Sequence, residues 1–142
     1  MALTEQQKME LQQRFGSATA SGKPELAAAL CVEGARVWHN FDDQDMPYAD
    51  TGKSLIWLHQ RVPDIRWVTR NVCATSQGWI WQATITGSAR GGVLRAHTCM
   101  VVTLNEGGLI TRLDEYIDPV QMAPVRSQTK LLPDSADPKP KG

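Results

Sequence analysis

The 142-residue chain lacks a charge excess of either sign, since 15 Lys and Arg balance 15 Asp and Glu. A balanced chain does not carry the basic surface by which proteins hold a phosphate backbone or an anionic membrane, so neither nucleic acid nor a membrane is an expected partner. The sequence also lacks any apolar run near the roughly 20 residues of a membrane-spanning helix. Its length suits one domain, and we expect any site to lie inside a single core.

Cysteine is scarce and follows no motif. Cys31, Cys73 and Cys99 are odd in number and show no CxxC spacing, and the opening residues MALTEQQKME contain no apolar stretch of signal-peptide type. We therefore expect reduced thiols and a cytoplasmic protein. Each cysteine lies in apolar sequence, where a thiolate is disfavoured, so a nucleophilic cysteine is not expected.

Tyrosine and phenylalanine number only two each, whereas tryptophan occurs five times. Tryptophan combines a large apolar body with one N–H donor, which favours cores, pockets and interfaces. We expect Trp57 to form a wall of a ligand pocket. Trp79 and Trp81 share one strand face and are expected to build either a pocket or a dimer face.

The first half of the chain has mainly helical patterns. Thr4 and Gln7 have the form of a capping box, which predicts a helix that ends near Gly22. Spacing and turn residues then predict a helix at 24–32, a strand at 35–41, a loop at 42–47 and a helix at 52–62.

The second half of the chain has strand patterns separated by turn residues. Strands are predicted at 65–76, 79–88, 93–104 and 109–118, joined by short turns into an antiparallel meander. This order predicts an α+β domain in which helices cover one face of a curved antiparallel sheet, with ligands entering at its open mouth. The residues after Leu132 are rich in proline and charge and are expected to be mobile at the chain end.

This order of elements, together with the strings ARVWHN at 35–40 and GLITRLDEYID at 108–118, resembles the SnoaL-like branch of the NTF2-like superfamily. The same fold serves ketosteroid isomerase, limonene epoxide hydrolase and small polyketide cyclases. The resemblance covers about residues 4–120 and leaves 121–142 as a C-terminal extension. It implies a cone in which the sheet wraps around N-terminal helices and encloses a pocket, but it names no reaction, because the fold hosts enzymes and non-catalytic binding modules alike.

The last strand supplies the leading candidate carboxylate. Alternation puts Glu115 on one face with Leu113 and Ile117, and apolar surroundings suit a carboxylate to acid–base work. In limonene epoxide hydrolase an acidic residue just before the tyrosine of the corresponding motif is catalytic, and the resemblance assigns that role to Glu115. Asp114 is the alternative if the register differs by one residue, and otherwise it forms a surface network with Arg112.

Two histidines are candidate partners for that carboxylate. His39 shares a strand face with small apolar residues, so it either polarises a substrate or is a buried histidine bonded to the backbone or to Asn40. His97 lies on the strand before the last turn, where it either meets Glu115 across one pocket or belongs to the exposed face with Arg95. The resemblance favours a place at the cavity for the WHN string that contains His39.

Metal and cofactor motifs are not present. The three histidines show neither HxH nor HExxH spacing, so no metal site is expected. The glycine pairs in RGG and EGG are hairpin turns, so no nucleotide cofactor is implied. The remaining residues expected to line the pocket are Trp38, Asn40, Tyr48, Trp57 and Tyr116.

The sequence therefore favours a small SnoaL-like enzyme that acts on an apolar, oxygenated small molecule by cofactor-free general acid–base catalysis, as an isomerase, hydrolase, cyclase or dehydratase. The tyrosine–aspartate pair of ketosteroid isomerase and the Asp-Arg-Asp set of limonene epoxide hydrolase are not found, so neither reaction is transferred. The alternative is a non-catalytic module for small-molecule binding or dimerisation. In both cases we expect a homodimer through the outer sheet face, whose residues are more apolar than a solvent-facing sheet requires.

Overall fold

The computed structural model describes residues 2–126. Within these residues the structure has three α-helices and six strands, in an order typical of an α+β domain. They are α1 (Glu5–Ala20), α2 (Pro24–Ala28), β1 (Cys31–His39), β2 (Gln44–Pro47), α3 (Tyr48–Arg61), β3 (Arg66–Ala74), β4 (Gly78–Ala89), β5 (Gly92–Leu104) and β6 (Ile110–Ile117), followed by a short 3-10 helix (Pro119–Met122).

The six strands form one sheet in the order β2-β1-β6-β5-β4-β3. The antiparallel meander predicted for β3 to β6 is confirmed. The sequence did not predict that β1 lies beside β6 and runs parallel to it, with Val37 opposite Leu113. This pairing brings the first and last strands of the sheet together.

The predicted capping box starts α1. The Thr4 hydroxyl accepts a hydrogen bond from the Gln7 N–H at 3.1 Å, and the Thr4 N–H donates to Gln7 Oε1 at 2.8 Å. These bonds satisfy two polar groups that a helix end otherwise leaves unpaired. The helix then buries Phe15 and Ala18 against the sheet.

Trp79 and Trp81 lie on the inner face of β4, where both are almost completely buried. The ring centroids of both indoles lie 6.2 Å from that of Phe15 on α1. The predicted alternation along β4 is confirmed, since Ala83 and Ile85 are buried on the same face. Of the two alternatives for this pair, the dimer face is excluded, because α1 covers it.

The core has two apolar clusters side by side on the inner face. The first contains Phe15, Trp79, Trp81 and Met100, and the second is built around 62–65 and the ends of β4, β5 and β6. Val125 is fully buried in the second cluster, so packing extends past the expected boundary at residue 120. The tail predicted to be mobile, after Leu132, lies outside the described residues, which end at 126.

Several elements of the first half differ from the prediction, and β1 spans Cys31–His39 instead of 35–41. The second helix ends at Ala28 rather than at 32, because Cys31 already pairs with Ile110 of β6. The segment 42–47, predicted as a loop, contains β2, which forms a hairpin with β1. The third helix starts at Tyr48 rather than at 52. Within 2–126, no helix is both long and apolar enough to cross a membrane.

Candidate active site

His39 and Glu115 meet on the inner face of the sheet. Because β1 and β6 run side by side in parallel, the two residues lie opposite each other in register. His39 Nε2 is 3.3 Å from Glu115 Oε1, and the side chains are 16% and 18% exposed. Sequence alternation placed each residue on the inner face, and the β1–β6 pairing brings them together.

Thr98 of β5 holds the second oxygen of the same carboxylate. Its hydroxyl donates to Glu115 Oε2 at 3.0 Å, and the residue is 2% exposed. The sequence analysis did not identify Thr98. The signal that was available is a hydroxyl placed between Ala96 and Met100 in an otherwise apolar row of alternating inner-face residues.

The pair favours the charged form of the imidazole. Burial alone lowers the pKa of His39, but the hydrogen bond to Glu115 and the charges of Glu115 and Asp42 outweigh burial and raise that pKa above its ordinary value. Such a His39 is an imidazolium ion over a wider pH range than a free histidine. When His39 is protonated, the two side chains form an ion pair that the fold largely screens from water.

Tyr48, at the start of α3, packs against the first apolar cluster. Burial raises the pKa of Tyr48 far above its ordinary value, and the negative charge of Glu115 raises it further, so the phenol stays neutral. Burial also raises the pKa of the Cys31 thiol to about 11, so this cysteine is not a nucleophile.

A residue of the turn between β1 and β2 packs beside the His39 ring. The Phe41 ring centroid lies 5.2 Å from that of His39. Asn40 fastens the end of β6, since its backbone N–H donates to the Glu115 carbonyl at 3.1 Å and its Oδ1 accepts from the Ile117 N–H at 2.9 Å. Asn40 therefore fixes the backbone that carries Glu115 and does not bind the His39 ring.

Comparison with known proteins gives fold similarity without close sequence similarity. No protein-family model matches the chain, and no curated protein matches it. PrhC from Penicillium brasilianum NBRC 6234 superposes with a TM-score of 0.80 at 13% identity, over 91% of each chain. A protein named as a SnoaL-like polyketide cyclase, from Jannaschia sp. CCS1, gives 0.73 at 15% identity over 87% of this chain and 93% of that one.

This chain has the SnoaL-like form of the NTF2-like fold. BvnE pinacolase from Penicillium brevicompactum has it as well, with a TM-score of 0.78 at 12% identity over 93% of this chain and 98% of that one. At such low identity the similarity establishes the architecture, and the chemistry has to be argued from the side chains of this chain.

In this SnoaL-like sheet Asp114 lies on the face opposite Glu115. Its carboxylate accepts from Arg112 Nε at 2.9 Å, and Arg112 also donates to Asp45, which pairs with Arg36. The alternative of a surface network is therefore the one observed, and the register puts Glu115 rather than Asp114 at the site.

His97 does not meet Glu115. The β5–β6 register pairs Met100 with Glu115 and Cys99 with Tyr116, so His97 shares the outer face with Cys99. Its Nδ1 is 2.9 Å from the Thr84 hydroxyl oxygen. The expected His97–Glu115 pair is wrong because these side chains project from opposite faces.

Other residues expected in the pocket are also dispersed. Trp38 and Tyr116 contact each other on the outer face, with ring centroids 5.3 Å apart, and Trp38 Nε1 donates to Asp43 at 2.8 Å. Trp57 packs on the second apolar cluster with the Arg61 guanidinium 4.8 Å from its ring centroid. Of the residues expected in the pocket, Asn40 supports the pair from the backbone, and Tyr48 packs on the first apolar cluster within reach of the charge of Glu115.

Two open grooves are present among the described residues, and neither residue of the pair lines them. One, of about 500 Å³, lies where β6 ends, beside His97 and Tyr116, and it includes Asn40 and Thr98, which hold Glu115 in place. The other, of about 440 Å³, lies between α1 and the strands β3 and β4. Within residues 2–126 no three His, Cys, Asp or Glu side chains converge as metal ligands would.

Proposed function

We propose that this chain is a cofactor-free acid–base enzyme that acts on an apolar, oxygenated small molecule. The observation that carries the proposal is the His39–Glu115 pair on the inner face, 3.3 Å apart and mostly buried. An acid and a base held in contact within a protected site are what proton transfer at a carbon or oxygen centre needs. The neutral phenol of Tyr48 adds a hydrogen-bond donor.

Each residue has a definite role in this proposal. Glu115, as the carboxylate, accepts a proton from the substrate, and Thr98 keeps its second oxygen in place. Protonated His39 stabilises negative charge that develops on a substrate oxygen and returns a proton to the product. Tyr48 binds that oxygen or a neighbouring one through its hydroxyl. Asn40 acts through the β6 backbone as a positioning residue.

Structural neighbours suggest which reactions to test first. The name of BvnE describes a pinacolase, and the Jannaschia protein is named as a polyketide cyclase. Isomerisation and cyclisation both move protons on apolar, oxygen-bearing skeletons. We therefore propose these two reaction classes ahead of hydrolysis and dehydration.

The experiment compares wild type with two variants of neighbouring β6 carboxylates. Steroid, terpenoid and polyketide-like compounds are screened for turnover, and any substrate found is assayed with Glu115→Gln and Asp114→Asn. Removing the base should lower kcat by about 10²- to 10⁴-fold. Asp114→Asn is the matched control on the outer face and should keep activity near that of wild type.

The outcomes separate the two classes of function. Equal turnover by Glu115→Gln and wild type would remove Glu115 from the mechanism. Saturable binding of these compounds by a folded wild type that turns none of them over would support the alternative of a binding module.

We also propose that two copies associate through the outer sheet face. Val68 and Tyr116 are 40% and 45% exposed there, and Trp38 lies beside Tyr116. Apolar side chains of this size on one sheet face are typical of an interface between copies. The cytoplasmic location inferred from the cysteine pattern stays a prediction.

A further inference from the structure

The groove between α1 and the β3–β4 edge lies apart from the His39–Glu115 pair. Neither residue of the pair lines it, and its volume of about 440 Å³ is within the range of small-molecule sites. Every side chain that lines it is uncharged. The groove therefore offers hydrogen bonds and flat apolar walls but no countercharge for an ion.

Gln12 is the first sign that the groove receives a ligand. It lies on α1, is 6% exposed and lines the groove, yet its carboxamide has no hydrogen-bond partner among the described residues. Its Nε2 lies 3.5 Å from the position that a Cβ on Gly16 would occupy. The amide atoms of Gln12 are not among the fully buried unpaired polar atoms, so they stay accessible from the groove, where a bound molecule can pair with them.

Trp67 forms the opposite wall of the groove. The indole is held in place by His59, whose ring stacks on it with centroids 5.6 Å apart and planes 23° apart. Its Nε1 is buried away from the groove. Trp67 therefore offers a ligand a rigid flat surface rather than a hydrogen-bond donor.

Trp81 and Thr69 complete the floor of the groove. Trp81 Nε1 donates to the Thr69 hydroxyl at 2.9 Å, which fixes the indole and leaves the Thr69 O–H proton available. Gly16 lies over Trp81, and a Cβ there would be 3.5 Å from the indole ring. The absence of a side chain at Gly16 keeps the floor open.

We propose that this groove is a second ligand-binding site, for an uncharged planar molecule that carries a carbonyl and an N–H side by side, as a cis-amide or lactam does. The carboxamide of Gln12 presents a donor next to an acceptor, which is the complement of that arrangement. The two indoles provide flat contact surfaces. Occupation of the site does not depend on the catalytic proposal.

The test uses 2-quinolone, a flat lactam, and N-methyl-2-quinolone, which lacks the N–H. Isothermal titration calorimetry of the full chain should show saturable binding of 2-quinolone, with a dissociation constant of roughly 0.1 mM for a molecule of this size. The N-methyl compound should bind at least about tenfold more weakly, because it cannot donate to Gln12.

Three variants localise the binding. Gln12→Leu should weaken it about tenfold or more, and Gly16→Met should abolish it by filling the floor. Gln6→Leu is the matched control on the exposed face of α1, where Gln6 contacts only Glu10, and should bind like wild type. Circular dichroism shows whether each variant is folded. If Gln12→Leu is unfolded, the binding measured with Gly16→Met tests the proposal.

Several results would overturn the proposal: no saturable binding of 2-quinolone by the folded wild type, equal binding of the N-methyl compound, or unchanged binding in Gly16→Met. Glu115→Gln should retain full binding. Loss of binding in that variant would place the ligand at the His39–Glu115 pair and overturn the second site, whereas loss of turnover alone concerns the catalytic proposal.

Discussion

At the scale of single residues, the His39–Glu115 contact couples the free energy of unfolding to pH. The folded state raises the pKa of His39, with burial opposing the effect of Glu115 and Asp42. A histidine whose pKa is higher folded than unfolded adds stability that is fully present below the unfolded pKa and is lost as pH rises through the folded one. The contribution is therefore present in mildly acidic solution and is lost as the solution becomes alkaline.

His39→Gln tests this coupling. The variant loses a hydrogen bond between charged groups, which we expect to cost about 1–2 kcal/mol in the free energy of unfolding near pH 6. The difference from wild type should shrink as pH rises through the folded pKa of His39. Urea unfolding followed by circular dichroism at a series of pH values between 5.5 and 9 measures it.

The control for this prediction is the same substitution in a Glu115→Gln background. There the cost of His39→Gln should be smaller and nearly independent of pH, because the partner charge is gone. A cost that stays constant with pH in the wild-type background would show that the ion pair contributes nothing.

At the scale of elements, the start of β4 depends on a close approach of two backbones. A Cβ at Gly78 would collide with the carbonyl oxygen of Val102 on β5. A backbone atom cannot move aside as a flexible side chain can, so any larger residue forces the two strands apart there.

Gly78→Ala should therefore destabilise the fold by about 2–4 kcal/mol, as strain in a packed sheet does. Gly107→Ala is the matched control, since a Cβ at that position in the β5–β6 turn meets only Asn105 Oδ1 at 3.4 Å. Thermal denaturation of both variants measures the difference. Equal melting temperatures would mean that the β4–β5 pair relaxes at no cost.

The sequence predicts an element well when neighbouring residues determine it, and poorly when a distant strand does. The capping box of α1, the long strands of the meander and the face that carries Glu115 are encoded by neighbouring residues, and each was predicted. The ends of α2 and the existence of β2 were missed, because pairing with a distant strand overrides local propensity. Where a strand begins and ends depends on the distant strand that it pairs with, and the local sequence pattern does not show that strand.

The candidate site shows the same division. Alternation grouped Glu115 with Leu113 and Ile117 and put His39 with small apolar residues, and it left Asp114 as the alternative if the register differed by one residue. Their contact depends on parallel pairing of β1 with β6, and no turn or spacing in the sequence specifies that neighbour. The place of His97 was ambiguous because both faces of β5 mix apolar and polar residues, so the sequence does not show which face is buried. Gln12 is ordinary in sequence and becomes informative only through its burial.

At the scale of the whole molecule, the proposed homodimer makes a test of the outer face possible. Light scattering of wild type should give about twice the chain mass of 15.7 kDa. Tyr116→Lys, in the middle of that face, should give the mass of one chain, because burying an ammonium in an apolar interface is costly. Leu26→Lys is the control on the helical side and should stay dimeric. A wild-type mass near that of one chain would contradict the dimer.

The parallel pairing of β1 with β6 also determines when the sheet can be completed during synthesis. A ribosome completes β1 early and β6 last of the strands, so the sheet closes only when the final strand has emerged. Until then β1 and β5 each present an unpaired edge to other nascent chains, and contacts of such large sequence separation form slowly. His39 lies on the β1 edge, which stays unpaired until the strand that carries Glu115 has been synthesised. Completion of the sheet and formation of the His39–Glu115 contact are therefore one event.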